Sequence, residues 1–152
     1  MSIQLDVEVD AAAERLSMAF GRLARVLRRG SPSTLGQGSL SALSTLVRCG
    51  PMRLGDLAAR EGIAPPTLTR IVAGLEEAGY VTRTLDPADR RATRAQATVT
   101  AVELIQGTGS RRAGVLRSRM AALSAEELTI LLRAVPVLEA LATDEICAVP
   151  RP

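Results

Sequence analysis

Hydrophobic positions change their period twice along this chain. Leu68, Ile71, Val72 and Leu75 recur at i, i+3, i+4 and i+7, one apolar stripe on a helix. A shorter amphipathic run, Leu54 to Glu61, precedes them. After Gly79 the period falls to two: Val81, Arg83 and Leu85 share one face and Thr82 and Thr84 the other, before the loop LDPADRR and a return strand ATRAQA. The flanks are helical again. Asp10 can cap a helix running to about Arg29, with Leu16, Phe20, Leu23 and Leu27 on its apolar face. Residues 31–39, SPSTLGQGS, read as a linker, and Leu40, Leu43, Leu46 and Val47 as a short buried helix ending at Gly50 and Pro51. A long helix is predicted over about 98–122, across Gly107 and Gly109. A last one starts at Ser124, whose capping box Glu127 completes, and carries Leu128, Leu131, Leu132, Val135, Leu138 and Leu141, with Pro136 expected to kink it.

The central boundaries are sharply marked. Gly62 can take the left-handed conformation that ends a helix, and Pro66 suits the first helical position, with Ala64 and Pro65 outside it. Two helices around a tight turn, then a hairpin, make a winged helix-turn-helix. On the outer face of the second helix lie Pro66, Thr67, Arg70, Ala73, Gly74 and Glu77. Small residues at 73 and 74 allow close approach to a major groove, and Thr67, Thr69 and Arg70 offer hydroxyl, methyl and guanidinium groups to bases or phosphates. Glu76 and Glu77 would repel phosphate, so the amino-terminal half is the part expected to enter. In the hairpin loop Pro87 fixes one backbone angle, and Asp86 and Asp89 can bond their own main chain, stiffening a turn that aims Arg90 and Arg91. A guanidinium suits a narrow, electronegative minor groove. Seen singly, each half is also compatible with a solvated helix or turn.

The stretch from Leu40 to Glu103 resembles the MarR family of bacterial winged-helix transcription regulators, through GDLAAREGIAPPTLTRIVAGLEEAGYVTR and the wing DPADRRATRAQAT leading into a long helix. The resemblance implies that Arg91 enters the minor groove with Asp89 orienting it, that Arg90 contacts phosphate, and that Thr67, Thr69 and Arg70 open the recognition helix. Pro66 and Arg94 complete the expected DNA-binding set. Ala97 departs from the family's usual leucine, and the cap of the following helix is either Thr98 or Thr100 with Glu103. The expected fold is therefore mainly α with a small β-hairpin wing: a winged helix-turn-helix over about 40–98, with dimerisation helices over about 10–29 and 98–145, forming a single domain.

Composition narrows the function classes. All 19 basic residues are arginine, and there is neither lysine nor histidine. That excludes Schiff-base lysines, histidine general bases and most zinc sites, so an enzyme is the least favoured class and no cofactor or metal is expected. The net charge of +3 is too small to signal nucleic acid by itself. Phe20 and Tyr80 alone cannot supply the stacking platforms of single-strand binders. No run is apolar and long enough to span a bilayer, and the acidic start MSIQLDVEVD is unlike a signal peptide, so a cytoplasmic protein without membrane contact is expected. The surplus of apolar stripes points to a homodimer, whose two recognition helices would meet successive major grooves of double-stranded DNA at a pseudo-palindromic operator. The family also implies a small aromatic or anionic effector, for which Met18, Arg22, Arg25, Arg48 and Met52 are the candidate contacts. Cys49 is read as a small packing residue and Cys147 as a tail residue. The leading expectation is a ligand-responsive repressor. The alternatives are a winged helix used only for protein contacts and a cysteine-based redox-sensing regulator.

Overall fold

The computed structural model describes residues 2–89 and 91–142, with side chains described from residue 7. Among the described residues, six helices and three strands follow in the order α1 (Ser2–Arg29), α2 (Gln37–Cys49), β1 (Met52–Arg53), α3 (Leu54–Glu61), α4 (Pro65–Glu77), β2 (Val81–Leu85), β3 (Thr93–Ala97), α5 (Val99–Met120) and α6 (Ala125–Leu141). The described residues fall into two compact units, one of residues 2–32 with 110–122, the other drawn from 33–109 with 123–142.

The second unit holds the winged helix-turn-helix. Its core is Leu43 and Leu46 of α2, Leu57 and Ala58 of α3, Leu68, Val72 and Leu75 of α4, Val81 and Ala95 of the sheet and Ala101 of α5. The three α4 members are the stripe expected from spacing, and Ile71 packs against the same cluster half-buried. Such a stripe supplies most of a short helix's stability, because a helix of this length is marginal in water alone. Gly62 ends α3 with φ 63°, and Gly79 follows α4 with φ 77°, a region where a Cβ is strained. Ile63 N donates to Ala58 O at 3.1 Å and Tyr80 N to Leu75 O at 2.8 Å, satisfying carbonyls that each helix end leaves open.

The strands form an antiparallel sheet of order β1-β3-β2, with Val81 opposite Ala97, Arg83 opposite Ala95 and Leu85 opposite Thr93. β1 was not expected; two residues are too few to show a period, and Met52 and Arg53 become a strand only by pairing with Ala95 and Arg94. Three further boundaries differ from expectation. α1 starts at Ser2 and not near Asp10, α2 starts at Gln37 inside the expected linker, and α4 starts at Pro65 with Ala64 as its N-cap. Two prolines are tolerated there because neither of the first two helical N–H groups has an intrahelical partner to lose. At α5 the choice of cap resolves to Thr98, whose Oγ1 accepts from Ala101 N at 3.3 Å and donates to Gly79 O at 2.9 Å. The α6 capping box is formed: Ser124 Oγ accepts from Glu127 N, and Glu127 Oε2 accepts from Ser124 N. These bonds hold the Glu127 carboxyl below its ordinary range. α6 continues through Pro136 to Leu141 and contains no buried residue.

In the first unit, Gly30 approaches α5 so closely that a Cβ there would lie 2.5 Å from Val115 Cγ2. Arg111 Nε donates to the buried Ser31 Oγ at 3.3 Å. The apolar face of α1 is exposed at Leu16, Phe20 and Leu23. Cys49 packs half-buried against the core, in keeping with its reading as a small packing residue; Cys147 lies outside the described residues.

Candidate nucleic-acid interface

The outer face of α4 presents Pro66, Thr67, Thr69 and Arg70 to solvent, while Leu68 between them is fully buried. The start of this helix carries no spare amide donors. Pro65 and Pro66 have none, and Thr67 N is bonded to Ala64 O at 2.9 Å. Contacts from this end must therefore come from side chains. Thr69 Oγ1 donates its proton to Pro65 O at 2.9 Å, leaving lone pairs and a methyl group facing outward. Farther along, Glu76 accepts from Arg83 Nε of β2 at 2.6 Å, so one of the two carboxylates expected to repel phosphate is already neutralised by the sheet.

The wing is a locked turn. Asp86 N donates to Ala92 O and Ala92 N to Asp89 O, both at 2.9 Å. Asp86 Oδ1 accepts from Ala88 N at 2.8 Å and Asp89 N at 3.1 Å, and Asp89 Oδ1 accepts from Arg91 N at 3.0 Å. Both aspartates thus bond their own main chain, and Asp89 holds the backbone that carries Arg91. Asp89 and Arg91 are exposed; Arg90 lies outside the described residues.

Asp86 does more than cap the turn. It is only 4% exposed, and Arg53 of β1 reaches it with Nε on Oδ2 at 2.8 Å and Nη2 on Oδ1 at 3.2 Å. The guanidinium hydrogen bond, aided by the Ala88 amide and opposed by burial, holds the Asp86 carboxyl well below the usual carboxylate range, and the same pairing raises Arg53. Arg53 was not among the expected site residues, because its partner is 33 positions away and β1 left no pattern. Arg94, expected to face DNA, is folded into this cluster: Nη2 donates to Pro51 O at 2.9 Å, Nη1 lies 3.9 Å from Asp86 Oδ2, and Nε is buried without a hydrogen-bond partner among the described residues.

The candidate effector contacts separate. Met18 and Arg22 lie four positions apart on the exposed surface of α1 beside Ala12, Arg15, Leu16 and Ala19, and Arg25 is exposed on the same helix. Arg48 is exposed on α2, whereas Met52 is buried in the winged-helix core, its side chain committed to packing. Among the described residues no group of His, Cys, Asp and Glu could hold a metal ion, and no helix is long and apolar enough to cross a membrane.

A sequence model of the MarR family matches residues 35–93. An uncharacterised HTH-type transcriptional regulator of Mycobacterium bovis is 37% identical, over 90% of this chain and 96% of its own length. Among solved structures, a putative transcriptional regulator of Pseudomonas aeruginosa superposes with a TM-score of 0.78 at 26% identity, covering 90% of this chain and 97% of its own. BpsR of Bordetella bronchiseptica, whose DNA binding is regulated by 6-hydroxynicotinic acid, shares the fold with a TM-score of 0.60 at 20% identity, over 84% of this chain and 91% of its own. With a winged helix whose exposed recognition face and stiffened wing stand on one core, and a relative matching along nearly its whole length, this chain belongs to the MarR family of DNA-binding transcriptional regulators.

Proposed function

We propose that the protein acts as a homodimeric repressor that binds a pseudo-palindromic operator in double-stranded DNA and is released by a small aromatic or anionic effector. The observation that carries the DNA reading is the pairing, on one core, of an exposed Thr67–Thr69–Arg70 face with a wing turn whose hydrogen bonds fix the backbone of Arg91. Thr67, Thr69 and Arg70 read the major groove next to Pro66; Arg91 enters the minor groove, Asp89 orients it and Arg90 contacts phosphate. Arg94 serves this interface indirectly, by bracing the wing. Dimerisation is supported by the apolar residues that α1 and α6 leave exposed, Leu16, Phe20 and Leu23 on the one and Ile130, Leu132 and Leu141 on the other. An effector finds a fitting chemistry on α1, where Arg22 and Met18 combine a bidentate cation with apolar surface. The regulation of BpsR by an aromatic acid agrees with that choice.

The test is selection of binding sites from random duplex DNA, followed by affinity measurements on the recovered sequence. Recovery of an inverted repeat whose half-sites are about one helical turn apart supports the reading. No enrichment at low salt would instead favour a winged helix used for protein contacts.

A further inference from the structure

We propose that Arg53 is a positioning residue for the wing: through Asp86 it sets the direction of Arg91 without reading a groove itself. This rests on the wing reading given above. The Asp86 carboxylate is shared between two parts of the module. On one side it takes both arms of the Arg53 fork from the sheet edge; on the other it takes the amides of Ala88 and Asp89 in the turn. Asp89 then accepts from Arg91 N. Arg53, Asp86, Asp89 and Arg91 are therefore joined in series by hydrogen bonds of 2.8 to 3.2 Å, running from a two-residue strand to the tip that meets DNA.

Ladder pairing ends where Leu85 faces Thr93, so beyond that point the hairpin's orientation depends on the turn's own bonds and on this strap. A planar fork bonded to both carboxylate oxygens fixes the carboxylate's rotation as well as its place, which a lysine's point charge would not do. Fixing it before DNA arrives removes ordering that binding would otherwise have to impose. The strap also explains why an aspartate only 4% exposed sits at the foot of an otherwise solvated loop.

A double-mutant cycle decides the matter. Duplex recovered by selection would be prepared in two forms, with A·T or G·C pairs where the wing lies, and titrated with wild type, Arg53→Gln, Arg53→Lys, Arg91→Ala and Arg53→Gln/Arg91→Ala. Thermal unfolding of each variant would be recorded alongside. Arg53→Gln should weaken binding to the A·T form by roughly three- to tenfold, the scale of re-ordering one side chain and its loop. It should narrow the A·T over G·C preference and leave the salt slope unchanged. Arg53→Lys should keep the charge yet fail to restore the preference. In the Arg91→Ala background Arg53→Gln should add less than about twofold, since coupled residues are not additive.

An equal loss from Arg53→Gln in both backgrounds, or a salt slope reduced by about one, would overturn the proposal, because Arg53 would then be touching phosphate directly. So would full restoration by Arg53→Lys. If Arg53→Gln melts too early to be assayed, Arg53→Lys carries the same cycle. Unchanged binding in Arg91→Ala alone would defeat the wing reading itself, whereas a defective Arg91→Ala beside an unaffected Arg53→Gln would defeat only the strap.

Discussion

Thr69 and Arg70 are adjacent in sequence and exposed together, yet their chemistry toward DNA differs. With its proton given to Pro65 O, the Thr69 hydroxyl can only accept, which suits an adenine N6 or cytosine N4 amine, and its methyl suits thymine. Thr69→Val should therefore abolish any preference owed to the acceptor while keeping one owed to the methyl group; binding-site selection with the variant separates the two. Arg70→Ala should change the preferred base at its position by ~1 to 3 kcal/mol if it forks onto guanine, while Arg91→Ala should weaken sites with an A·T-rich minor groove. Unaltered selected sites in both arginine variants would remove the assignment of these residues to DNA. Asp86 adds a dependence on pH. Its folded-state carboxyl titrates below the ordinary value of 3.8, so the stability it contributes is present in full above that value and is lost as pH falls through the lower folded one. Wing amide protection measured by NMR should stay constant from about pH 5 to 8 and collapse only under stronger acid. A loss already at pH 6 would mean that some other group governs the wing.

At the scale of elements, what was legible in the sequence was what local physics decides. α3 runs from Leu54 to Glu61 as expected, because a left-handed glycine ends it, and the α4 stripe was readable from Leu68, Ile71, Val72 and Leu75 because burial repeats with the helical turn. The self-capping of the wing by Asp86 and Asp89 was legible for the same reason, since those bonds span two or three residues. β1 and its Arg53 were not, because both depend on partners more than 30 positions away. The contacts of Arg94 were not legible either, because only the strand register places it beside Arg53 and near the Asp86 carboxylate. The division between core and groove face within α4 can be measured. Leu68→Ala should cost about 2 to 5 kcal/mol of stability, with DNA binding lost only as far as folding is lost. Thr67→Ala, one residue away and exposed, should leave the melting temperature within a degree or two while changing affinity or preference. Equal melting temperatures for the two variants would contradict the burial of that stripe.

For the whole molecule, the distribution of charge matters more than its sum. Residues 33–109 contain eight arginines and seven carboxylates, so this stretch is nearly neutral despite holding every proposed DNA contact. Long-range attraction should then be weak, and binding should depend on how many arginines reach phosphate at once. A single copy brings few cations to the duplex, whereas two copies with Arg70, Arg90 and Arg91 at each half-site bring six into the grooves or onto the backbone, giving a slope of log affinity against log salt no steeper than about −5. Dimerisation and salt dependence are thereby linked, and one pair of variants tests both. Phe20→Glu and Leu132→Glu place a charge on the exposed apolar faces of α1 and α6 without touching the winged helix. If those faces cover each other in a dimer, the charged variants should sediment at the mass of one chain, keep the helical content of the wild type, and bind the selected duplex with about half its salt slope. If the variants remain dimeric, or if a monomer retains the full slope, the two-copy arrangement on DNA is wrong, and one chain must make all of those contacts alone.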